Sequence, residues 1–156
     1  MVNTKEALLE VAGNRIFWFT LYSWVIAQSI KVLIGVVKEK KFNFRWFVGT
    51  GGMPSSHSAI VSALAALVGL SCGFDSVIFV VTLAFATIVI VDAQGFRRAT
   101  GKQAEVLNRI LDDIYWKKRI QEDRLKELLG HTPVEVFAGI ACGILSALSL
   151  WQLFGQ

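Results

Sequence analysis

Four runs of apolar residues, separated by polar and charged stretches, organise this chain of 156 residues. They read as helices over roughly Ile16–Val37, Ser56–Cys72, Ser76–Ala93 and Pro133–Phe154. A helix needs about 20 apolar residues to cross the hydrocarbon core of a bilayer. The second and third runs sit at or below that length, so they must tilt little or start among the headgroups. The turn Gly73-Phe74-Asp75 joins them into an antiparallel hairpin. Between the third and fourth runs, segment 94–132 is polar. Its Leu107, Ile110, Leu111, Ile114, Leu125, Leu128 and Leu129 recur largely at spacings of three and four, which gathers many of them on one helical face. That pattern fits one or two amphipathic helices on the membrane surface, or a soluble helical hairpin packed against the bundle. The expected fold is all-α: a single domain over 1–156, an integral membrane four-helix bundle with an amphipathic helical insertion between helices three and four.

Composition supports this. Hydrophobic residues make up 54% of the chain and charged residues only 18%, and the charges are bunched. Such a balance belongs to a membrane protein. The net charge of +4 suits anionic headgroups or a phosphate substrate. Nucleic acid is not expected, because the basic residues adjoin apolar spans. Cys72 and Cys142 have no Cys-x-x-Cys spacing, so neither a disulfide framework nor a zinc site is indicated. No small-x-small cleavage site follows the first apolar run.

Charge also orients the spans. With four crossings, loop 38–57 and segment 94–132 fall on one side. The first carries Lys38, Lys40, Lys41 and Arg45, and the second carries nine Lys or Arg. The positive-inside rule places both in the cytoplasm and both termini outside. The expected location is a plasma (inner) membrane.

This topology collects the unusual residues at one face. Gln28 and Lys31 lie near the cytoplasmic end of the first span. Gly51-Gly52-Met53-Pro54-Ser55-Ser56-His57-Ser58 opens the second. Asp92 ends the third and is followed by Arg97 and Arg98. His131 and Glu135 open the fourth. The only two histidines of the chain thus both precede or begin a helix on the same side. Helix starts hold anions, because their first N–H groups lack partners and the helix dipole favours negative charge. Ionisable groups inside spans are costly and point to function. Each residue also has a plainer role. Thr132-Pro133-Val134-Glu135 is a capping box with proline at the first helical position, Ser55 and Ser56 can cap a helix, and Lys31 can snorkel.

These motifs resemble the divergent branch of the type 2 phosphatidic acid phosphatase superfamily, which also includes the vanadium haloperoxidases. The resemblance rests on Gln28-x-x-Lys31, on 51–59, on Asp92-Ala-Gln-Gly95-x-Arg97-Arg98, and on Leu129-Gly130-His131-x-Pro133-x-Glu135-Val136. It covers nearly the whole chain. The superfamily's Pro-Ser-Gly-His stands here as Pro54-Ser55-Ser56-His57. The end of its third motif, a His and an Asp four residues later, stands as His131 and Glu135. The arginine of that motif is Arg97 or Arg98, more than 30 residues before His131. Lys38 to Arg45 has the spacing of the first motif without its proline; Lys31 belongs to the divergent branch's own pattern and is preferred.

The resemblance implies a lipid phosphatase, with a membrane lipid phosphate or diphosphate as substrate and a phosphohistidine intermediate. His131 is the implied nucleophile, Glu135 fixes its tautomer, and His57 is the acid and then the base. Lys31, Arg97 or Arg98, and the N–H groups near Ser55 and Ser56 hold the phosphoryl oxygens. Asp92, Gln28 and Arg45 are supporting candidates, and Asp92 is a possible ion-pair partner for Lys31 or an arginine. No metal and no cofactor is implied. A bundle this small suits a homodimer. The competing reading is a non-catalytic lipid-binding or assembly protein that keeps the phosphate pocket. The replacement of Asp by Glu135 and the long Arg-to-His spacing support it.

Overall fold

The computed structural model describes residues 3–40, 52–115 and 131–155. They form five helices: α1 Thr4–Gly13, α2 Arg15–Glu39, α3 Ser56–Cys72, α4 Val77–Tyr115 and α5 Pro133–Phe154. Arg45 and Gly51 lie outside the described residues, as does the segment from Trp116 to Gly130. Among the described residues, three helices are long and apolar enough to cross a membrane: α2, α4 over Val77–Gln94, and α5. Large apolar side chains cover their outer faces, among them Leu33, Val80, Ile88, Phe137 and Leu145. That is the exterior expected of a protein whose solvent is hydrocarbon.

α3 is the hub. Its 17 residues rise about 25 Å, short of the ~30 Å hydrocarbon core. The shortfall is tolerable because α2, α4 and α5 all pack against it, so little of α3 meets lipid. On one side, Phe19 of α2 meets Ala63 and Leu67 of α3 and Ala147 of α5. On another, Val61 and Ala65 meet Ala86 of α4. α4 and α5 barely touch each other.

Local chemistry sets most boundaries. The Asn14 side chain accepts from Phe17 N–H and starts α2. Ser55 caps α3. Thr132 caps α5 within a full capping box, and Pro133 follows it. Glycine at 73, with φ of 90°, ends α3, a backbone conformation that favours a residue without Cβ. At the other end of the bundle, Arg15 donates to the carbonyl of Phe154 at 3.4 Å. A cation there complements the carbonyl end of α5 and sets α2 antiparallel to it.

Two features differ from the pattern read along the chain. The third apolar run does not end at Ala93. α4 continues as one helix to Tyr115, so the first half of the polar insertion is an extension of the third span. The reason lies in the backbone. No proline occurs between 77 and 115, and the change in polarity at Asp92 alters the solvent a helix prefers without breaking it. At about 58 Å, α4 is nearly twice as long as the hydrocarbon core is thick. The second difference is α1, a short helix with no buried residue, capped by Asn3.

Candidate active site

α3 and α5 run parallel, and glycines let them touch backbone to backbone. A Cβ on Gly139 would collide with the carbonyl of Ser55 and come within 3.0 Å of Ser58 Cβ. A Cβ on Gly143 would collide with the carbonyl of Ala59. Ser55, Ala59 and Ala63 thus face Gly139, Gly143 and Ala147 at matched four-residue steps. Small residues at this spacing are how helices associate closely in a membrane, where no hydrophobic force drives them together.

The parallel packing places two helix N-termini side by side. The N–H of Ser55 donates to the carbonyl of Glu135 at 2.9 Å, which ties the turn before α3 to the first turn of α5. The first N–H groups of both helices, and the positive ends of both dipoles, therefore meet at one place. The rings of His57 and His131 also meet there, with centroids 6.4 Å apart and planes tilted by 55°.

His131 is 3% exposed. Its Nδ1 lies 3.2 Å from Glu135 Oε2. An ionised carboxylate oxygen can only accept, so Nδ1 is the donor here, and in the neutral ring Nε2 is the basic nitrogen. The same Oε2 accepts from Thr132 N–H at 3.0 Å, and Thr132 Oγ1 accepts in turn from Glu135 N–H at 3.3 Å. Glu135 is thus both cap and histidine partner.

Lys31 reaches the site from α2 and is buried. Its Nζ donates to Ser56 Oγ at 3.3 Å, and the carboxylate of Glu135 acts on it electrostatically. Gly52, with φ of 87°, lays the turn against the Lys31 stem; a Cβ there would stand 3.6 Å from Lys31 Cγ. Gln28 is buried one helical turn before Lys31. The Met53–Pro54 peptide bond is cis.

The structure therefore gathers His57, His131, Glu135, Lys31 and Ser56, with Gln28 beneath Lys31. Ser55 sits at the centre but is engaged within the protein. Its N–H is taken by Glu135, and its hydroxyl accepts from Ser58 N–H at 3.4 Å and contacts Ser58 Oγ at 3.1 Å. Ser55 holds the scaffold, and the hydroxyl facing Lys31 is that of Ser56. Asp92 is exposed on α4, and the carboxylate acting on Lys31 is that of Glu135. Arg97 and Arg98 fall on α4, with side chains outside what the structure describes. Sequence reasoning missed Gly139 and Gly143. The signal was present as a four-residue spacing of small residues on both helices.

This architecture, with the histidine-bearing starts of α3 and α5 side by side, coincides with a family match along 135 residues. A model described as the divergent PAP2 family matches residues 12–146. The chain belongs to that family. It is also 40% identical over 157 residues to YuiD of Bacillus subtilis (strain 168), whose description is an uncharacterized membrane protein. That alignment covers 94% of this chain and 99% of YuiD. No solved structure matches.

Proposed function

We propose that this member of the divergent PAP2 family is a membrane phosphatase that hydrolyses a lipid phosphate or diphosphate at the cytoplasmic face. The observation that carries the reading is the facing pair His57 and His131, with Glu135 on Nδ1 of the second. A nucleophile stands about 3–3.5 Å from the atom it attacks. An acid stands about 2.6–3.2 Å from the oxygen it protonates. Ring centroids 6.4 Å apart put both imidazoles within reach of a single phosphoryl group lying across them.

In the first step the Nε2 lone pair of His131 attacks phosphorus. The bond from phosphorus to the lipid oxygen breaks, and protonated His57 gives that oxygen its proton. In the second step His57 takes a proton from water, the water oxygen attacks phosphorus, and the N–P bond breaks to release inorganic phosphate. Glu135 stabilises the positive charge that develops on His131. Lys31, Ser56 and the first N–H groups of α3 balance the charge on the phosphoryl oxygens. Arg97 or Arg98 supplies a further cation in this scheme.

A second reading is a lipid-phosphate binder without turnover, and one observation favours it: the Glu135 oxygen that meets His131 also closes the capping box. One experiment separates the two. Purified protein in detergent, with chelator present, is assayed for phosphate release from a panel of lipid phosphates beside His131→Ala and His57→Ala. Release by the wild type that both variants abolish is the expected result. Full release by His131→Ala, or none from any substrate by the wild type, overturns the phosphohistidine scheme.

A further inference from the structure

Below the site, α3, α4 and α5 enclose a groove of about 370 Å³. Ser62 and Ala66 floor it, Leu83 and Ile90 form one wall, and Ile140 and Ile144 form the other. It exists because α4 and α5 both pack on α3 and barely on each other. The lining is almost wholly apolar. Thr87, one of its few polar residues, donates its hydroxyl to the carbonyl of Leu83 at 2.8 Å and so demands nothing of an occupant.

The groove begins about 7.5 Å along α3 and α5 from the site. Ser62 lies one turn below Ser58, beside His57, and Ile140 lies one turn below Val136, beside Glu135. Two aromatic rings line its far end. Phe74 and Phe79 meet edge to face, centroids 5.1 Å apart and planes at 80°. Phe74 lies over Gly69 so closely that a Cβ on Gly69 would strike the ring.

We propose that this groove takes the hydrocarbon tail of the phosphate ester held between His57 and His131, and that Phe74 and Phe79 set the longest tail accepted. The proposal rests on the reading that the site holds a lipid phosphate. The occupant is a single unbranched chain. The volume is spread over the roughly 16 Å that α4 rises from Phe79 to Ile90, which leaves a narrow cross-section. A helix of a second copy, about 10 Å across with its side chains, does not fit. From His57 to Leu70 the floor helix rises about 20 Å, somewhat more than one leaflet of a hydrocarbon core about 30 Å thick. Surrounding lipid is as apolar as the groove, so burial adds little affinity. Selection comes from shape at the aromatic end.

The test uses the full chain in detergent and a series of n-alkyl phosphates from butyl upward, with retention read by native mass spectrometry. Retention is expected to hold as the tail lengthens up to a limit and then to fall. Phe74→Ala moves the limit to longer tails. Leu83→Trp, which fills the groove from its open side, lowers retention of the longest accepted tail about tenfold relative to butyl phosphate, the scale of a methylene misfit in an apolar pocket. A tail with a terminal diazirine labels the peptide holding residues 74–79. A limit unmoved by Phe74→Ala, labelling elsewhere, or cross-linking of groove residues to a second copy overturns the proposal. Tail-dependent retention without phosphate release by the wild type overturns hydrolysis and leaves the groove standing. Phosphate release with a flat tail profile does the reverse.

Discussion

Ser55 donates its backbone N–H to the carbonyl of Glu135, and that bond holds the two halves of the site in register. One half is the turn before α3 and the other is the first turn of α5. The bond forms because Gly139 and Gly143 let α5 approach the backbone of α3. A bulky residue at Gly143 should therefore separate the histidines as well as the helices. Gly143→Leu is expected to lose about 1–3 kcal/mol of stability, the usual cost of overpacking, together with most phosphate release. Gly13→Ala is the control, because a Cβ there meets nothing within 4 Å. Thermal unfolding in detergent checks both. An unchanged Tm for Gly143→Leu would contradict the packing described.

Glu135 has two roles that one substitution can separate. Glutamine at the third helical position still serves in a capping box. Glu135→Gln should therefore leave thermal stability near that of the wild type. It removes the negative charge that favours a positive His131, and in other histidine-dependent sites neutralising such a carboxylate is very costly. A fall in kcat of about 10²-fold or more, with little change in Tm, is expected. Equal activity of Glu135→Gln and wild type would reduce Glu135 to a cap.

How much of this was legible along the chain depends on where each signal resides. The bounds of α3 and α5 follow from caps: Ser55 before one and Thr132-Pro133 before the other. His57, His131 and Lys31 stood out because each is an ionisable group at a helix start or inside an apolar span. Their convergence followed from counting spans. The continuation of α4 past Asp92 was not legible, because hydropathy reports the surroundings a helix prefers and not where its backbone stops. α1 was missed because it buries nothing and so leaves no periodic stripe. Ser55 was legible as a polar residue in the turn. Its engagement with Glu135 was not, because that bond depends on two glycines more than 80 residues away.

Lys31 is buried; its Nζ donates to Ser56 Oγ and the charge of Glu135 acts on it. A buried cation usually costs stability, and a phosphate ligand would offset that cost. Lys31→Met keeps a stem to lie against Gly52 and removes the charge. Stability is expected to hold or rise, while inhibition by inorganic phosphate weakens by about 10- to 100-fold, the range for a lost charge-assisted hydrogen bond. Loss of folding with unaltered phosphate inhibition in any folded fraction would assign Lys31 a structural role alone.

In the proposed scheme the two histidines act in opposite protonation states, and this gives the sharpest test of their roles. His131 must be neutral to attack, whereas His57 must be protonated to release the alcohol. The rate with an alkyl phosphate should therefore rise and then fall with pH, one limb belonging to each ring. Protonating a poor leaving group matters far more than protonating a good one. His57→Asn is expected to lose hydrolysis of an alkyl phosphate by about 10²–10⁴-fold, the usual weight of a positioned acid. It should lose much less with an aryl phosphate whose leaving group departs as an anion. Its surviving aryl activity should no longer fall at high pH if formation of the intermediate limits the rate. His131→Asn should lose both substrates alike, because no leaving group replaces a nucleophile. Initial rates with matched alkyl and aryl phosphates across pH decide the assignment, and equal losses for the two substrates in His57→Asn would exchange or abolish the roles of acid and nucleophile.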